Sequence, residues 1–313
     1  MINVGVIGVG YLGQHHARIY SELKGVRLAA VVDTDINRAE EIGKKYGCDV
    51  YSDYRDAFDK VNAFSIVAPT TKHYEIALDC IKAGKDILIE KPITADVKEA
   101  DELIKESDRK GTIIQVGHLE RFNPAFLAVC PLVKSPILFE AERLSPFLNR
   151  GIDVDITLDL MIHDIDIILA ILSGSGQAIS VKDIKASVAR ILTDNIDVAR
   201  AWLEFSNGAQ ALMTASRISS DKSRKLRIFQ KESYLLLDYQ NMEVTRFFKE
   251  GDKILHEVIK AEKKEPLKEE LKDYIECVIN RRKPVVSAVE GRNALQIILQ
   301  INSVGNRLRS RDC

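Results

Sequence analysis

The chain has 313 residues, about twice the length of a typical domain, so two domains are expected. Hydrophobic residues make up 46% and charged residues 29%, which excludes a disordered or fibrous protein. Forty-five basic and forty-six acidic residues leave a net charge of −1, which argues against a nucleic-acid partner. No apolar stretch reaches the roughly 18 residues that a transmembrane helix needs, so no membrane partner is expected.

Five scattered cysteines, none of them in a CxxC pair, argue against a disulfide framework and against a zinc site. We therefore expect no metal and a reducing, cytoplasmic compartment. The apolar start MINVGVIGVGYLG lacks the basic region of a signal peptide and is interpreted as the first strand of the fold.

Up to about residue 120, short apolar strands alternate with amphipathic helices. Such alternation indicates parallel βαβ units and predicts an α/β fold with a doubly wound sheet. The predicted strands are 4–8, 26–33, 63–67, 86–89 and 112–116, and the predicted helices are 14–23, 37–46, 73–83 and 95–110.

Beyond about residue 122 the pattern changes to that of an α+β domain. A strand at 137–143 and a very apolar helix at 156–172 precede strands with period-two alternation, and Asn207-Gly208 is a hairpin signal. The sequence predicts a mainly antiparallel sheet with helix on one face and two helices at 267–281 and 290–308. We expect an NAD-binding domain over residues 1–121 and a sheet domain over 122–289, with the helix of about 290–313 packing back on the first.

The first motif with chemical meaning is GxGxxG, formed by Gly8, Val9, Gly10, Tyr11, Leu12 and Gly13. It lies between a predicted strand and a predicted helix, and Asp33 ends the next strand 20 residues beyond Gly13, as in a dinucleotide-binding fingerprint. Gly8 permits a tight turn, Gly10 lets the backbone approach a pyrophosphate, and Gly13 allows the helix to pack on the strand. Asp33 can accept the adenosine ribose hydroxyls and would repel a 2′-phosphate, which favours NAD. A glycine turn in an unrelated α/β protein is the alternative.

Lys91 lies in Glu90-Lys91-Pro92, at the carboxyl end of a predicted parallel strand. Ligands bind outside the carboxyl ends of such strands, so Lys91 is a candidate for contact with the nicotinamide and substrate. Taken alone, it is more readily explained as a surface lysine in front of a proline that begins a helix.

Asp159 and His163 are four residues apart on the apolar helix, which puts them on one helical face. A buried carboxylate is costly unless paired, so the two suit a general base and the group that orients it. Three alternatives stay open. His163 could be a core histidine, the pair could bind a metal although no third ligand is suitably spaced, and Asp164 and Asp166 could mark a solvated helix face.

Together these motifs resemble the Gfo/Idh/MocA family of glucose–fructose oxidoreductases and inositol dehydrogenases. The resemblance rests on GVIGVGYLGQHHARIY, VVDTD, APTTKHYEIALDCIKAGKDILIEKPIT and DLMIHDID, in this order. It implies a Rossmann domain, a domain with an open-faced sheet that mediates dimers or tetramers, and catalysis by Lys91, Asp159 and His163. It further implies cofactor contacts by the glycine motif and by Ala68, Pro69, Thr70, His73, Glu90 and Lys91. Many members have Pro-Asn where this chain has APTTKH, so the family role at this position carries over to Thr70 less directly than to Glu90 or Lys91.

A narrower resemblance is to UDP-N-acetylglucosamine 3-dehydrogenases. It rests on VGHLERFNPA, ERLSPFLNRGIDVDITLDLMIHDIDIIL and IFQKESYLLLDYQ. Arg121 and Arg150 could bind a substrate diphosphate, or they could be solvated loop arginines. His118 and Asn123 are expected near the point where substrate enters.

These features predict NAD-dependent oxidation of a secondary alcohol in a sugar nucleotide, with UDP-N-acetylglucosamine oxidised at C3. His163 would be the base, Asp159 would orient it, and Lys91 would stabilise charge on the oxygen. A free-sugar or inositol dehydrogenase and a non-catalytic NAD sensor are the alternatives. Because Leu212 and Trp202 alternate with Leu203 and Phe205, the sheet should expose an apolar face, which predicts a homo-oligomer.

Overall fold

The computed structural model describes residues 1–148, 154–174 and 179–309. Within these ranges, no helix combines the length and apolarity that crossing a bilayer requires. The contacts divide the chain into two compact units. The first comprises Met1–Leu119 and Glu265–Asn293, and the second comprises Glu120–Lys264 and the chain from Ala294 onward.

The first unit is built on a six-stranded parallel sheet, which confirms the predicted Rossmann fold. Its strands are β1 (Ile2–Ile7), β2 (Val26–Val32), β3 (Asp49–Tyr51), β4 (Ala63–Ile66), β5 (Asp86–Glu90) and β6 (Ile114–Gly117), in the spatial order β3-β2-β1-β4-β5-β6. The three-residue β3 was not predicted because it is too short to show a period. The strand order reverses between β1 and β4, and this switch point is where doubly wound sheets bind ligands.

Four helices follow the strands of this sheet: α1 (Gly13–Glu22), α2 (Ile36–Tyr46), α3 (Thr70–Lys82) and α4 (Val97–Lys110). Capping residues set the ends of α2 and α4. Asp35 and Asp96 cap the first turns of α2 and α4 by accepting backbone N–H groups, and Gly47 and Gly111 end the same helices in the left-handed region.

The second unit contains an eight-stranded, mainly antiparallel sheet, as predicted. The strands are β7 (Leu138–Leu144), β8 (Val181–Ala189), β9 (Val198–Phe205), β10 (Gln210–Ser216), β11 (Ser223–Gln230), β12 (Ser233–Asp238), β13 (Glu243–Glu250) and β14 (Lys253–Lys260). They lie in the order β14-β13-β12-β11-β7-β10-β9-β8, in which β7 and β10 are parallel. Strand β8 was not predicted. Leu203 and Phe205 are buried on the inner face, whereas Trp202 and Leu212 are paired on the outer face.

The helical segment that carries the predicted base differs from the expected uniform helix. A short helix, α5 (Pro124–Val129), comes before β7. After β7, a π-helical turn at Thr157–Met161 leads into α6 (Ile162–Ser173). Isolated π-turns are uncommon and often occur at functional sites. Helix α6 packs on the inner face of the sheet through residues such as Ile165 and Ile168.

The last two helices, α7 (Pro266–Asn280) and α8 (Ala288–Arg309), correct the predicted domain boundaries. Leu271 and Tyr274 of α7 belong to the core of the Rossmann unit. Ile298 and Ile301 of α8 belong to the core of the sheet unit. The opposite assignment was predicted for both helices, because an amphipathic pattern shows that a helix is buried without showing against which core.

Candidate active site

The glycine turn has the geometry of a phosphate-binding loop. Gly8 has a φ of +85°, and a Cβ there would lie 2.6 Å from the carbonyl oxygen of Val67. A Cβ on Gly13 would lie 1.8 Å from the carbonyl oxygen of Gly8, so α1 can pack here only with glycine. Nothing lies within 4 Å of a Cβ built on Gly10. The space in front of Gly10 therefore suits a pyrophosphate at the N-terminus of α1.

Asp33 follows β2 and is held against the glycine turn. Its Oδ2 accepts the backbone N–H of Val9 at 2.9 Å, and its Oδ1 accepts that of Asp35 at 2.9 Å. The carboxylate is only 8% exposed, and its remaining lone pairs suit a ribose diol. A cavity of about 400 Å³ adjoins it, lined by Val9, Gly10, Tyr11, Gln14, Arg38, Glu41 and Ile42. These residues fit the adenosine end of a dinucleotide.

Arg38 is a residue of this cavity that the sequence analysis missed. Its Nη1 lies 3.4 Å from Oδ2 of Asp33, and its Nη2 lies 3.3 Å from a carboxylate oxygen of Asp35. The signal was present, since Arg38 is in the first turn of the helix after Asp33, where an arginine can meet a 2′-phosphate. Here two carboxylates already hold the guanidinium.

The carboxyl ends of β4 and β5 bring the next group of predicted residues to the same edge of the sheet. Ala68 and Pro69 lead from β4 into α3, which begins at Thr70, and Lys91 follows the last residue of β5. His73 is buried, and its ring nitrogens lie 2.8 Å from the carbonyl oxygens of Pro92 and Ala68. Both nitrogens therefore contact the protein itself, and His73 links the loop after β4 to the loop after β5.

Glu90, the last residue of β5, contacts a histidine that was expected on a helix surface. His16 of α1 is fully buried, and its Nε2 lies 3.5 Å from Oε1 of Glu90. The expectation failed because helical periodicity does not show that α1 packs against the end of β5.

In the second unit, Asp159 lies in the π-turn and His163 in the first turn of α6, both half-buried. The segment is anchored just before them. Asp155 accepts the backbone N–H of Ile196 at 2.7 Å and the side-chain amide of Asn302 at 3.0 Å. The predicted base and its partner are thus carried by a helix start that is tied to two other elements.

The aspartates that follow His163 do not form a solvated face. Asp164 and Asp166 are both buried and paired with arginines. Arg143 of β7 donates from Nε to Asp164 at 2.9 Å and from Nη1 to Glu120 at 2.8 Å. Burial raises the pKa of Asp164 to about 6 although Arg143 acts against it. This buried cluster joins α6 to the sheet behind the candidate base.

Of the predicted substrate residues, Arg121 and Asn123 are engaged inside the second unit. Arg121 Nε donates to Asp166 at 2.9 Å. The carboxamide of Asn123 caps α5 through its oxygen and donates to Glu120 and to the carbonyl of Tyr239. Both of its N–H donors are thereby used within the second unit, so Asn123 supports the structure of this region. His118 is buried at the end of β6 in the first unit, and Arg150 lies outside the described residues.

A second arginine that the sequence analysis missed lies beside this cluster. Arg224 of β11 pairs in register with Arg143 of β7, on the inner face of the sheet. Burial lowers the pKa of Arg224, and so does Arg143, whereas Glu120, Asp159 and Asp164 raise it. Arg224 is half-buried, and Asp159 is one of the charged groups that act on it.

Comparisons with known proteins agree with this geometry. The family described as "Oxidoreductase family, NAD-binding Rossmann fold" matches residues 2–118. The chain is 33% identical over 307 residues to UDP-N-acetylglucosamine 3-dehydrogenase of Acidithiobacillus ferrooxidans, with 96% of each chain covered. It is 26% identical over 334 residues to scyllo-inositol 2-dehydrogenase (NAD(+)) of Bacillus subtilis, with 97% of this chain and 94% of the relative covered.

Two solved structures extend the likeness to three dimensions. UDP-N-acetylglucosamine 3-dehydrogenase from Acidithiobacillus ferrooxidans has a TM-score of 0.90 at 32% identity, with 97% of both chains covered. Myo-inositol 2-dehydrogenase from Lactobacillus plantarum has a TM-score of 0.79 at 21% identity, covering 97% of each chain, and shows the common fold. The chain belongs to the Gfo/Idh/MocA oxidoreductase family and is an NAD-dependent dehydrogenase that acts on a CH–OH group.

Proposed function

We propose that this protein oxidises the C3 hydroxyl of UDP-N-acetylglucosamine. The observation that carries the proposal is 33% identity over 96% of both chains to a relative named for that reaction. Inositol dehydrogenases are also relatives, but the one that covers the whole chain is less similar, at 26% identity. A sugar nucleotide is therefore preferred to a free polyol.

The proposed chemistry divides the work among Lys91, Asp159 and His163. NAD, when bound, supplies the hydride acceptor. His163 takes the proton of the substrate hydroxyl as general base, and Asp159 orients the ring and stabilises its protonated form. The Lys91 ammonium stabilises negative charge that develops on the same oxygen. The glycine turn and Asp33 hold the cofactor, together with the segment Ala68–Pro69–Thr70 and Glu90.

Binding of the substrate diphosphate is assigned to arginines. Arg150 precedes the helical segment of the base in the sequence, and Arg224 is a half-buried cation on which Asp159 acts electrostatically. Arg121 keeps a smaller part in this proposal because Asp166 occupies its Nε. A diphosphate bound by arginines would let remote binding energy orient the sugar for reaction. His118 completes the proposed substrate region.

The direct test is NADH formation, followed by absorbance, with UDP-N-acetylglucosamine, free N-acetylglucosamine, glucose and myo-inositol as substrates. We expect turnover with the UDP-sugar and far less with the other three. Identification of the product by NMR as a 3-keto sugar fixes the carbon. If myo-inositol is the best substrate and the UDP-sugar is inert, the protein is instead a polyol dehydrogenase.

We also propose that two copies of the chain associate through the outer face of the sheet. Phe229, Tyr234 and Phe247 stack across three strands of this face, with ring centroids 5.0 and 4.7 Å apart. Leu212 is 38% exposed and pairs with Trp202 on the same face. Contiguous aromatic and aliphatic surface of this kind is typical of interfaces, and a two-fold dimer buries the same patch on both partners.

The proposed compartment is the cytoplasm. Cys48, Cys80, Cys130 and Cys277 are free thiols, as is normal in a reducing environment. Cell fractionation with an antibody to the chain tests this assignment.

A further inference from the structure

The segment that carries Lys91 is held on both sides by buried histidines. Lys91 lies between Glu90, which contacts His16 of α1, and Pro92, which contacts His73 of α3. His16 is 0% exposed and His73 is 1% exposed. Neither histidine takes part in the reaction proposed above. Because burying an imidazole costs free energy, we expect a structural or functional reason for burying both.

Glu90 is packed too tightly to relax away from His16. A Cβ on Gly117 of β6 would lie 2.9 Å from Oε1 of Glu90, so the carboxylate lies flat against a position without a side chain. Its Oε2 lies 3.3 Å from the backbone nitrogen of Lys91. Burial works to raise the pKa of Glu90, but the contact with His16 and the charge of Lys91 outweigh it, so the pKa is lowered.

His73 holds the other side of the lysine. Its Nδ1 lies 2.8 Å from the carbonyl oxygen of Pro92 and its Nε2 lies 2.8 Å from that of Ala68. The ring thus joins the loop after β5 to the loop after β4. Burial lowers the pKa of His73, Glu90 acts to raise it, and Lys91 acts to lower it.

We propose that His16 and His73 are positioning residues for Lys91, and that His16 acts by holding the carboxylate of Glu90 beside the lysine. This inference rests on the catalytic role proposed for Lys91. A carboxylate held one residue away attracts the lysine ammonium, and an ammonium fixed in place stabilises an oxyanion. Among the residues that the structure describes, His16, Lys91 and His73 interact electrostatically with Glu90.

The proposal predicts the direction of a pH effect. Loss of the negative charge at position 90 removes an attraction for the lysine ammonium. The alkaline limb of kcat/KM should therefore move to lower pH in Glu90→Gln. His16→Leu should move it in the same direction, because the Glu90 carboxylate then loses its polar contact with the imidazole. His16→Gln restores a polar group at this position and should keep the limb near its original position.

A matched control separates positioning from stability. Tyr20 lies on the same helix as His16 and shares a buried hydrogen bond of 2.7 Å with Ser65. Tyr20→Phe should lower the melting temperature without moving the alkaline limb. If Glu90→Gln and His16→Leu also lower only the melting temperature, both residues are structural and the proposal is overturned.

The charge of Lys91 can also be followed without measuring turnover. The reactivity of Lys91 toward acetic anhydride, followed by peptide mass spectrometry against pH, reports its charge directly. We expect the labelling curve of Lys91 to shift to lower pH in Glu90→Gln and His16→Leu and to stay in place in Tyr20→Phe. An unshifted curve in Glu90→Gln contradicts this inference even if the enzyme is active. A shifted curve in a protein inactive on UDP-sugars supports it and rejects only the substrate assignment.

His73 is tested by its effect on kcat. His73→Leu removes the link between the loops after β4 and β5, so we expect kcat to fall at least tenfold while the Kd of NAD(H) changes less. His73→Asn, which retains a donor of similar reach, should recover part of kcat. A loss confined to the melting temperature would assign His73 to fold stability alone.

Discussion

At the scale of single residues, His163 is the most direct test of the catalytic proposal. It lies half-buried at the start of α6, four residues after Asp159. His163→Ala should lower kcat by about 10²–10⁴-fold, because a general base contributes a factor of this size, and should leave the Kd of NAD(H) nearly unchanged. Steady-state kinetics and a fluorescence titration measure the two quantities.

Asp159→Asn provides the comparison for His163. Because Asp159 acts through the imidazole, its loss should lower kcat less than the loss of the base. Full turnover in His163→Ala would return this histidine to the role of a partly buried structural residue.

Asp33 should determine the choice between the two nicotinamide cofactors. Its carboxylate is fixed by the N–H groups of Val9 and Asp35, so it cannot easily turn away from a 2′-phosphate. We expect much tighter binding of NAD(H) than of NADP(H), and Asp33→Ser should narrow the difference because Arg38 then meets the phosphate without a competing carboxylate. Fluorescence titrations measure the Kd of each cofactor. Equal affinities in the unaltered protein would contradict the role of Asp33.

At the scale of elements, the connection between β8 and β9 depends on one buried carboxylate. Asp197 accepts the backbone N–H groups of Ile191, Leu192 and Thr193 at 2.7, 2.7 and 3.0 Å. Burial acts to raise the pKa of Asp197, but these donors and the Thr193 hydroxyl lower it to about 2. The lowered pKa means that the carboxylate stabilises the folded state at neutral pH.

Asp197→Asn should therefore reduce the free energy of unfolding by roughly 2 kcal/mol at pH 7. Since the native pKa is depressed, this contribution is present above the ordinary pKa of an aspartate and is lost as the pH falls toward 2. Urea unfolding at several pH values should show the two proteins converging in acid. Asp183→Asn, on the exposed side of β8, is the control and should change little. A difference that persists unchanged at pH 2 would be inconsistent with this account.

At the scale of the whole molecule, the outer sheet face predicts self-association. Leu212→Glu places a charge in the proposed apolar interface and should convert a homo-oligomer into a monomer at micromolar concentration. Sedimentation or light scattering measures the change. Leu127→Glu is the matched control, because Leu127 is 53% exposed on α5, which packs on the inner side of the sheet. A monomeric unaltered protein would remove the proposed interface.

The organisation into two units also shows where prediction from the sequence stops. The boundary near residue 120 was visible because the hydrophobic period changes there. The assignment of α7 and α8 was not, because both helices have an apolar stripe that could cover either core. Leu271 and Ile298 could be placed only by the packing that surrounds them.

The sequence by itself determined the features that depend on neighbouring residues. The glycine turn, the acid at the end of β2, the lysine after β5, the Asp159–His163 spacing and the alternation of the second sheet all follow from local steric and periodic constraints. They suffice for the Rossmann fold and for NAD, whereas the catalytic roles of Lys91, Asp159 and His163 were expected only from the family resemblance.

Which polar residues are buried and paired within the protein could be seen only in the tertiary structure. His16 and His73 are far from Glu90 and Pro92 in the chain, and Arg143 is about twenty residues from both Glu120 and Asp164. Their pairing depends on how helices and strands pack, and no local pattern encodes it. Burial then turns such contacts into constraints, because an ionisable group removed from water must find its partner within the protein.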